Sequence, residues 1–197
     1  SGNNNTAATQ FNWTYDNVGP TMTITATDGS NAVADGATTN DGTLTVTFTS
    51  NEATSNFAAS DITVSGGAIS NFAATSSTVY TATFTPTAAG ATTIDVAANT
   101  FTDASGNNNT AATQFNWTYD NVGPTIASVS LAATNATIAV TMNEASFNTN
   151  GGSGNLEVTD FSLSISGGNA TLASSAPSSI SISGNVYTLG INLSSNM

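Results

Sequence analysis

The amino-acid sequence predicts an all-β protein built of tandem β-sandwiches, the second of them incomplete within the chain. Apolar residues alternate with polar ones at a period of two, and no stretch shows the 3.6-residue period of an amphipathic helix. A long segment also occurs twice without a single change, which indicates more than one copy of the same unit.

The alternation predicts seven strands in the first sandwich. Their inward-facing residues lie in short runs that are separated by Asp-Gly, Gly-Gly and Asn-rich turns. In chain order the runs are Met22, Ile24 and Ala26; Leu44, Val46 and Phe48; Ile62 and Val64; Ile69 and Phe72; Tyr80, Ala82 and Phe84; Ile94 and Val96; and Phe115, Trp117 and Tyr119. Seven short strands with closely spaced turns are typical of an immunoglobulin-like, Greek-key sandwich.

A shorter series of the same kind follows in the last part of the chain. Its runs are Ile138, Val140 and Met142; Phe161, Leu163 and Ile165; and Leu189, Ile191 and Leu193. We therefore expect a second module that repeats the early strands of the first and breaks off at Met197 before its closing strand.

The repeat divides the chain. Residues 1–21 and 105–125 both read SGNNNTAATQFNWTYDNVGPT, an offset of 105 − 1 = 104 residues, which is the size of one β-sandwich module. Each copy runs into Gly-Pro, and Pro interrupts a strand ladder. We expect residues 1–18 to be the closing strand of a preceding or neighbouring module, 19–120 to be module one, and 121–197 to be a truncated module two.

Composition excludes several functions. The chain has no Lys, Arg, His or Cys, and its twelve acidic residues give a net charge of −12. Binding to nucleic acid or to an anionic membrane is not expected, because both need cationic side chains. The usual general bases, activated nucleophiles and zinc ligands are also missing, so we expect a protein that is not an enzyme.

Several segments resemble the bacterial Ig-like repeats of giant surface proteins and RTX-type adhesins. They are TFTSNEATSNFAASDITVSGGAISNF (47–72), FTDASGNNN (101–109) and YDNVGPT (119–125), with a looser likeness at MNEASF (142–147) and VTDFSLSISGG (158–168). The resemblance implies a secreted, extracellular stalk of tandem modules, often stiffened by calcium at the module junctions. Its implied partners are adjacent modules of the same chain or of identical chains.

Calcium is also the cation that the remaining side chains suit, because carboxylate, amide and backbone oxygens are its preferred ligands. In the expected topology, the start of a module lies beside the loops after its second and sixth strands, so acidic residues converge there. The candidate ligands are Asp16, Glu52, Asp61, Asp103 and Asn107 at the head of module one, and Asp120, Glu144 and Asp160 at the junction with module two. The alternative is that these residues only form turns and keep the surface soluble.

The expected function is that of a structural spacer in a long extracellular repeat protein. One alternative is a module that binds a glycan or a surface, although the alternation places Trp13 and Trp117 in the core rather than at a sugar site. Another is a filament subunit, in which residues 10–16 of one chain complete module two of a second chain. Phe11, Trp13 and Tyr15 should then pair with a β-strand.

Overall fold

The computed structural model describes residues 1–147 and 154–194 of the 197-residue chain. Contacts divide the chain into unit 1, Ser1–Asn121, and unit 2, Val122–Met197. Each unit has a hydrophobic core of its own.

Unit 1 is a sandwich of two sheets. Its strands are β1 (Met22–Thr27), β2 (Ala32–Val33), β3 (Ala37–Thr39), β4 (Leu44–Ser50), β5 (Ile62–Ser65), β6 (Gly67–Ala74), β7 (Val79–Pro86), β8 (Gly90–Val96) and β9 (Phe115–Tyr119). The strand orders are β2-β1-β4-β7-β6 in the first sheet and β3-β9-β8-β5 in the second. The predicted all-β, immunoglobulin-like fold class is confirmed.

The core of unit 1 lies between the two sheets and follows the predicted alternation. Leu44, Val46 and Phe48 on β4 are fully buried, while the residues between them face outward or are half-buried. The inward runs of β1, β7 and β8 are buried in the same way, as are Phe115 and Trp117 of β9. Burial of one face of each strand is therefore what holds the two sheets together.

Two short strands that the alternation did not predict, β2 and β3, lie in the connection after β1. Here the chain changes sheets, because β2 pairs with β1 while β3 pairs in parallel with β9 in the other sheet. Gly36, with a φ of 78°, lies between the two strands. Strands of two and three residues are too short to show an alternation, so no sequence pattern marks them.

β6 contains a bulge that explains an irregular spacing in the sequence. Ile69 and Phe72 both pack against the core although they lie three residues apart, which a regular strand does not allow. The register with β7 shifts between Ser70 and Ala73, and Asn71 has a φ of 51°. The extra residue turns Phe72 back toward the core.

Unit 2 has one sheet among its described residues. Its strands are β10 (Ile126–Leu131), β11 (Thr137–Met142), β12 (Ile180–Ser183) and β13 (Val186–Gly190), in the order β10-β11-β13-β12. Its buried core is small, consisting of Val140, Tyr187 and Leu189.

Two strand predictions for module two are wrong. Residues 161–165 form no strand, and the run that starts at Leu189 leaves the ladder after Gly190. The first error has a physical reason: β5, the corresponding strand of unit 1, pairs with β8, and no described strand of unit 2 takes that place. Half-buried Phe161 and Leu163 still pack against the small core.

Residues 1–18 form no strand, although 105–122 carry the same sequence and include β9. Phe11 and Trp13 are 86% and 73% exposed, whereas their counterparts Phe115 and Trp117 are 4% and 2% exposed. The expectation of a core position for Trp13 is thus wrong within this chain, because 115–119 already fill the place between β3 and β8. Pairing of residues 10–16 with a strand of another chain stays a prediction.

Candidate metal-binding site

Three carboxylates meet at the end of unit 1 where β1 begins. Ligand oxygens of Asp16, Glu52 and Asp103 all lie within 4.8 Å of one another. Asp16 precedes β1, Glu52 follows β4, and Asp103 lies in the loop between β8 and β9. Three separate parts of the chain therefore supply the group, which we call the acidic triad.

Backbone contacts between these parts of the chain explain why the triad forms. The amide of Thr21 donates to Oδ1 of Asn51 at 2.7 Å, and the amide of Asn51 donates to the carbonyl of Thr21 at 3.1 Å. These two hydrogen bonds place Glu52 beside the segment that carries Asp16. An isolated bridge between Thr54 and Asp103 brings in the β8–β9 loop.

Asp103 is the buried member of the triad, with 3% of its surface exposed. Burial by itself would raise the pKa of Asp103, but hydrogen bonds from Asn107, Ser105 and Gly106 hold that pKa below its ordinary value. The amide and Nδ2 of Asn107 each donate to the carboxylate at 2.8 Å. Asp103 therefore carries a full negative charge at neutral pH.

Asp16 is tied to the same loop. Its Oδ2 accepts a hydrogen bond from Oγ of Ser105 at 3.2 Å, and its carbonyl accepts one from Nδ2 of Asn107 at 3.3 Å. The segment before β1 is thus docked on the β8–β9 loop. Sequence reasoning missed Ser105, because a lone serine in a loop carries no signal of its partner.

Asn109 shapes the β8–β9 loop and was also missed. Its Oδ1 accepts hydrogen bonds from the amides of Thr100 and Phe101, and its Nδ2 donates to the carbonyls of Ala97 and Thr110. The side chain is buried and uses all of these bonds to close the loop. The run Asn107–Asn108–Asn109 was the available signal, but it does not show which asparagine points inward.

Glu52 is the triad member whose ionised form is disfavoured by its surroundings. Burial raises the pKa of Glu52, and the negative charges of Asp103 and Asp16 raise it further. The chain contains no Lys, Arg or His that would offset these charges. An all-oxygen group of like charges is the donor set that Ca²⁺ takes in proteins.

The other predicted ligands lie elsewhere. Oδ2 of Asp61 accepts a hydrogen bond from the amide of Ala58 at 2.8 Å and so closes the 3₁₀ turn Ala59–Asp61. Asp160 does the same for Glu157 in unit 2, at 2.7 Å. Both aspartates therefore have a local structural partner, and neither belongs to the triad.

Two of the three predicted junction ligands, Asp120 and Glu144, are counterparts of triad members. Asp120 stands 104 residues after Asp16. In unit 2, Thr125 and Asn143 form the same pair of hydrogen bonds as Thr21 and Asn51, and Glu144 follows directly. Glu144 thus matches Glu52. Within the part of the chain that the structure describes, the acidic triad is the one cluster of three or more candidate metal-ligating side chains, so a junction site stays a prediction.

Among the described residues, no helix has the length and apolar character needed to cross a membrane. No curated protein and no solved structure matches the chain significantly. A model of the bacterial Ig-like domain matches residues 16–119, which is 119 − 16 + 1 = 104 of 197 residues. Domains of this kind are typically non-catalytic structural domains and are common on surface proteins. The two-sheet sandwich of unit 1 and this match together show that the chain belongs to the bacterial Ig-like domain family.

Proposed function

We propose that the chain is a structural spacer of a long extracellular repeat protein, stiffened by calcium. The observation that carries the proposal is the unchanged recurrence of a 21-residue segment that, in its second copy, contributes β9 and leads into the next module. A protein selected for one binding surface does not need an identical copy of the segment that joins two modules. An array of interchangeable spacers does need such a copy at each module boundary.

The geometry of unit 1 supports this function. β1 begins at Met22, which lies opposite Ser50 and next to the acidic triad. β9 runs from Phe115, opposite Ile94, to Tyr119, opposite Gly90, and so ends away from the β8–β9 loop. The chain therefore enters and leaves the sandwich at opposite ends, and each further module in such an array adds to its length.

Single-molecule pulling on the full chain tests the spacer function. We expect unit 1 to unfold in one step that yields about 320–350 Å of extended chain, since its strands span 119 − 22 + 1 = 98 residues that each extend by ~3.3–3.6 Å. Phe48→Ala removes a fully buried ring and should lower the unfolding force, while Thr47→Ala on the outer face of the same strand should not. Unfolding without a resolvable force step would contradict the spacer function.

The proposed calcium site is the acidic triad. Its support is the convergence of Asp16, Glu52 and Asp103 and the absence of any cationic side chain in the chain. Burial and the neighbouring negative charges also raise the pKa of Glu52, which a bound cation would offset. Bound calcium would join the segment before β1 to the loops after β4 and β8. It would thereby fix the direction in which one module follows another.

Thermal unfolding with calcium and with chelator tests this site. Calcium at 100 times its dissociation constant should stabilise unit 1 by about 2.7 kcal/mol, which corresponds to a rise in Tm of roughly 10–20 °C for a unit of this size. Magnesium and extra NaCl serve as controls for general screening of the −12 charge. Equal Tm values in calcium and chelator would refute the site and leave the spacer function standing.

Glu52→Gln separates the site from general charge effects. Because the folded-state pKa of Glu52 is raised, its ionised form opposes folding above the ordinary value of 4.5. The variant should therefore be more stable than the original chain in chelator at neutral pH and should gain less from calcium. Asp28→Asn is the matched control, since Asp28 is exposed and hydrogen-bonds only within its own turn.

The junction ligands Asp120, Glu144 and Asp160 form the second part of the calcium proposal. Because the chain has no Cys, spin labels at Ser30→Cys in unit 1 and Ser181→Cys in unit 2 would report one inter-unit distance. Calcium should narrow its distribution, and Glu144→Gln should reduce the narrowing. A distribution that calcium leaves unchanged would contradict a calcium-stiffened junction.

A further inference from the structure

One buried hydroxyl of unit 1 has no partner in the protein. Ser50 is the last residue of β4 and is 4% exposed, and its Oγ forms no hydrogen bond. Among the described residues, it is the one buried side-chain oxygen or nitrogen without a partner. A buried hydroxyl that stays unpaired is costly, because it has given up its hydrogen bonds to water. Such an atom therefore indicates a partner other than the protein, such as an ion or a water molecule.

The fold itself does not require a hydroxyl at this position. Met22, the first residue of β1, lies opposite Ser50. In unit 2, Ile126 is the first residue of β10 and lies opposite Met142. The residue that corresponds to Ser50 is thus apolar in the second unit, so packing between these two strands does not explain the serine.

Ser50 lies where the apolar core of unit 1 ends and the acidic triad begins. It follows the fully buried Phe48 on the core-facing side of β4, and Glu52 stands two residues later. The strand that starts at Met22, opposite Ser50, is preceded by the segment that carries Asp16. Two of the three triad members therefore belong to chain segments that directly adjoin Ser50.

The third triad member is buried at the same end of the sandwich. Asp103 is 3% exposed and forms an isolated bridge with Thr54, which lies four residues after Ser50. The other buried polar groups here are paired: Thr54 and Tyr80 share a hydrogen bond of 2.6 Å between their hydroxyls, and Asn107 donates to Asp103. The unpaired oxygen of Ser50 is thus placed on the inner side of the triad.

We propose that the Ser50 hydroxyl is the inner, uncharged oxygen of the calcium site and gains its missing partner when the ion and its water bind. This inference rests on the proposed calcium site and adds a residue to it. Carboxylates that bind through one oxygen each would supply three of the roughly 6–8 oxygens that Ca²⁺ takes, so neutral oxygens must supply the rest. A hydroxyl has two lone pairs and one donor, and so suits both the ion and a water bound to it.

Ser50→Ala tests the proposal, because its effect should change sign with calcium. In chelator the variant lacks an unpaired buried oxygen and should have a higher Tm than the original chain. With calcium it loses a contact, so its dissociation constant for calcium should rise about 3- to 10-fold in competition with a chelating dye. Thr92→Val is the control, since the buried hydroxyl of Thr92 already donates to the carbonyl of Trp117. It should lower the Tm equally in calcium and chelator and leave the calcium affinity unchanged.

Ser50→Cys tests directly whether this side chain lies at the ion. The original chain has no Cys, so a thiol at this position is the one sulfur ligand apart from methionine. Thiolate sulfur prefers soft ions such as Cd²⁺, and cadmium should therefore produce a sulfur-to-metal absorption band in the ultraviolet. Adding Glu52→Gln should weaken this cadmium binding, because the thiol and the triad share the ion. Ser65→Cys, at the exposed end of β5, is the matched control, and cadmium bound there should not respond to Glu52→Gln.

The original chain separates this inference from the calcium site itself. Equal Tm values in calcium and chelator would refute the site. If calcium raises the Tm of the original chain but Ser50→Ala binds calcium as tightly, the site stands and the role of Ser50 is refuted. A lower Tm of Ser50→Ala in chelator would also refute that role, since the hydroxyl would then have a partner without the ion. So would a Ser50→Cys chain without the cadmium band, or with a band that Glu52→Gln does not weaken.

Discussion

The two copies of one sequence allow a core substitution to be compared with its own control. Trp117→Ala and Trp13→Ala change the same residue within the same 21 residues, but Trp117 is 2% exposed and Trp13 is 73% exposed. Any difference in stability must therefore come from tertiary packing and not from local sequence preference.

The structure gives the expected magnitude. Trp117 packs against Phe84 and Tyr119, and its Nε1 donates to Oγ1 of Thr39 at 3.0 Å. Truncating a buried Trp to Ala costs about 3–5 kcal/mol, a large share of the ~5–15 kcal/mol that stabilises a typical domain. Trp13→Ala should change the free energy of unfolding of unit 1 by less than ~0.5 kcal/mol.

Urea unfolding at low protein concentration, followed by circular dichroism, measures both values. Fluorescence adds an independent readout, because each variant leaves a single Trp. The Trp13→Ala chain should keep the full red shift of emission on unfolding, and the Trp117→Ala chain should show almost none. Equal stabilities of the two variants, or a loss below about 1 kcal/mol for Trp117→Ala, would refute the assignment of core and exposed copies.

The repeat supplies further matched pairs. Asn109→Ala should cost about 2–4 kcal/mol, because the buried amides that its Oδ1 accepts from lose their partner, while Asn5→Ala at the exposed equivalent position should be neutral in the same urea assay. Gly19→Ala should destabilise unit 1 by about 1–3 kcal/mol, because a Cβ there would overlap the carbonyl oxygen of Asn108, whereas Gly123→Ala meets nothing. The folded-state pKa of Asp103 is lowered, so its ionised form stabilises the fold, and this stability should be lost as pH falls below the ordinary pKa of 3.8. In thermal melts from pH 7 to pH 2.5, the Asp103→Asn chain should therefore lose less stability toward acid than the original chain.

The local pattern was enough for the strands that carry the core. Alternation predicted the buried faces of β1, β4, β7 and β8, because side chains on a strand point to opposite sides whatever the strand pairs with. Composition likewise showed that a metal ion would have to bind oxygen ligands, because the chain has no His or Cys. The repeat and its period indicated modules of sandwich size.

Only the tertiary structure shows which carboxylates come together in the candidate site. Asp61 and Asp103 both follow apolar stretches and both lie near turns, yet only Asp103 joins Asp16 and Glu52. The reason is the bridge from Thr54 to Asp103, a contact between residues far apart in sequence. Asp61 instead accepts a hydrogen bond from the amide of Ala58 in its own turn.

Strand formation itself also depended on neighbours that a sequence window does not contain. Residues 161–165 have the alternation of β5 but lack a pairing partner like β8, so they form no strand. Phe11 and Phe115 have identical sequence surroundings, yet one is exposed and the other buried. By itself the sequence determined which face of a strand is apolar; only the tertiary structure decided which strands have a sheet to join, because a ladder and a core both require a second surface.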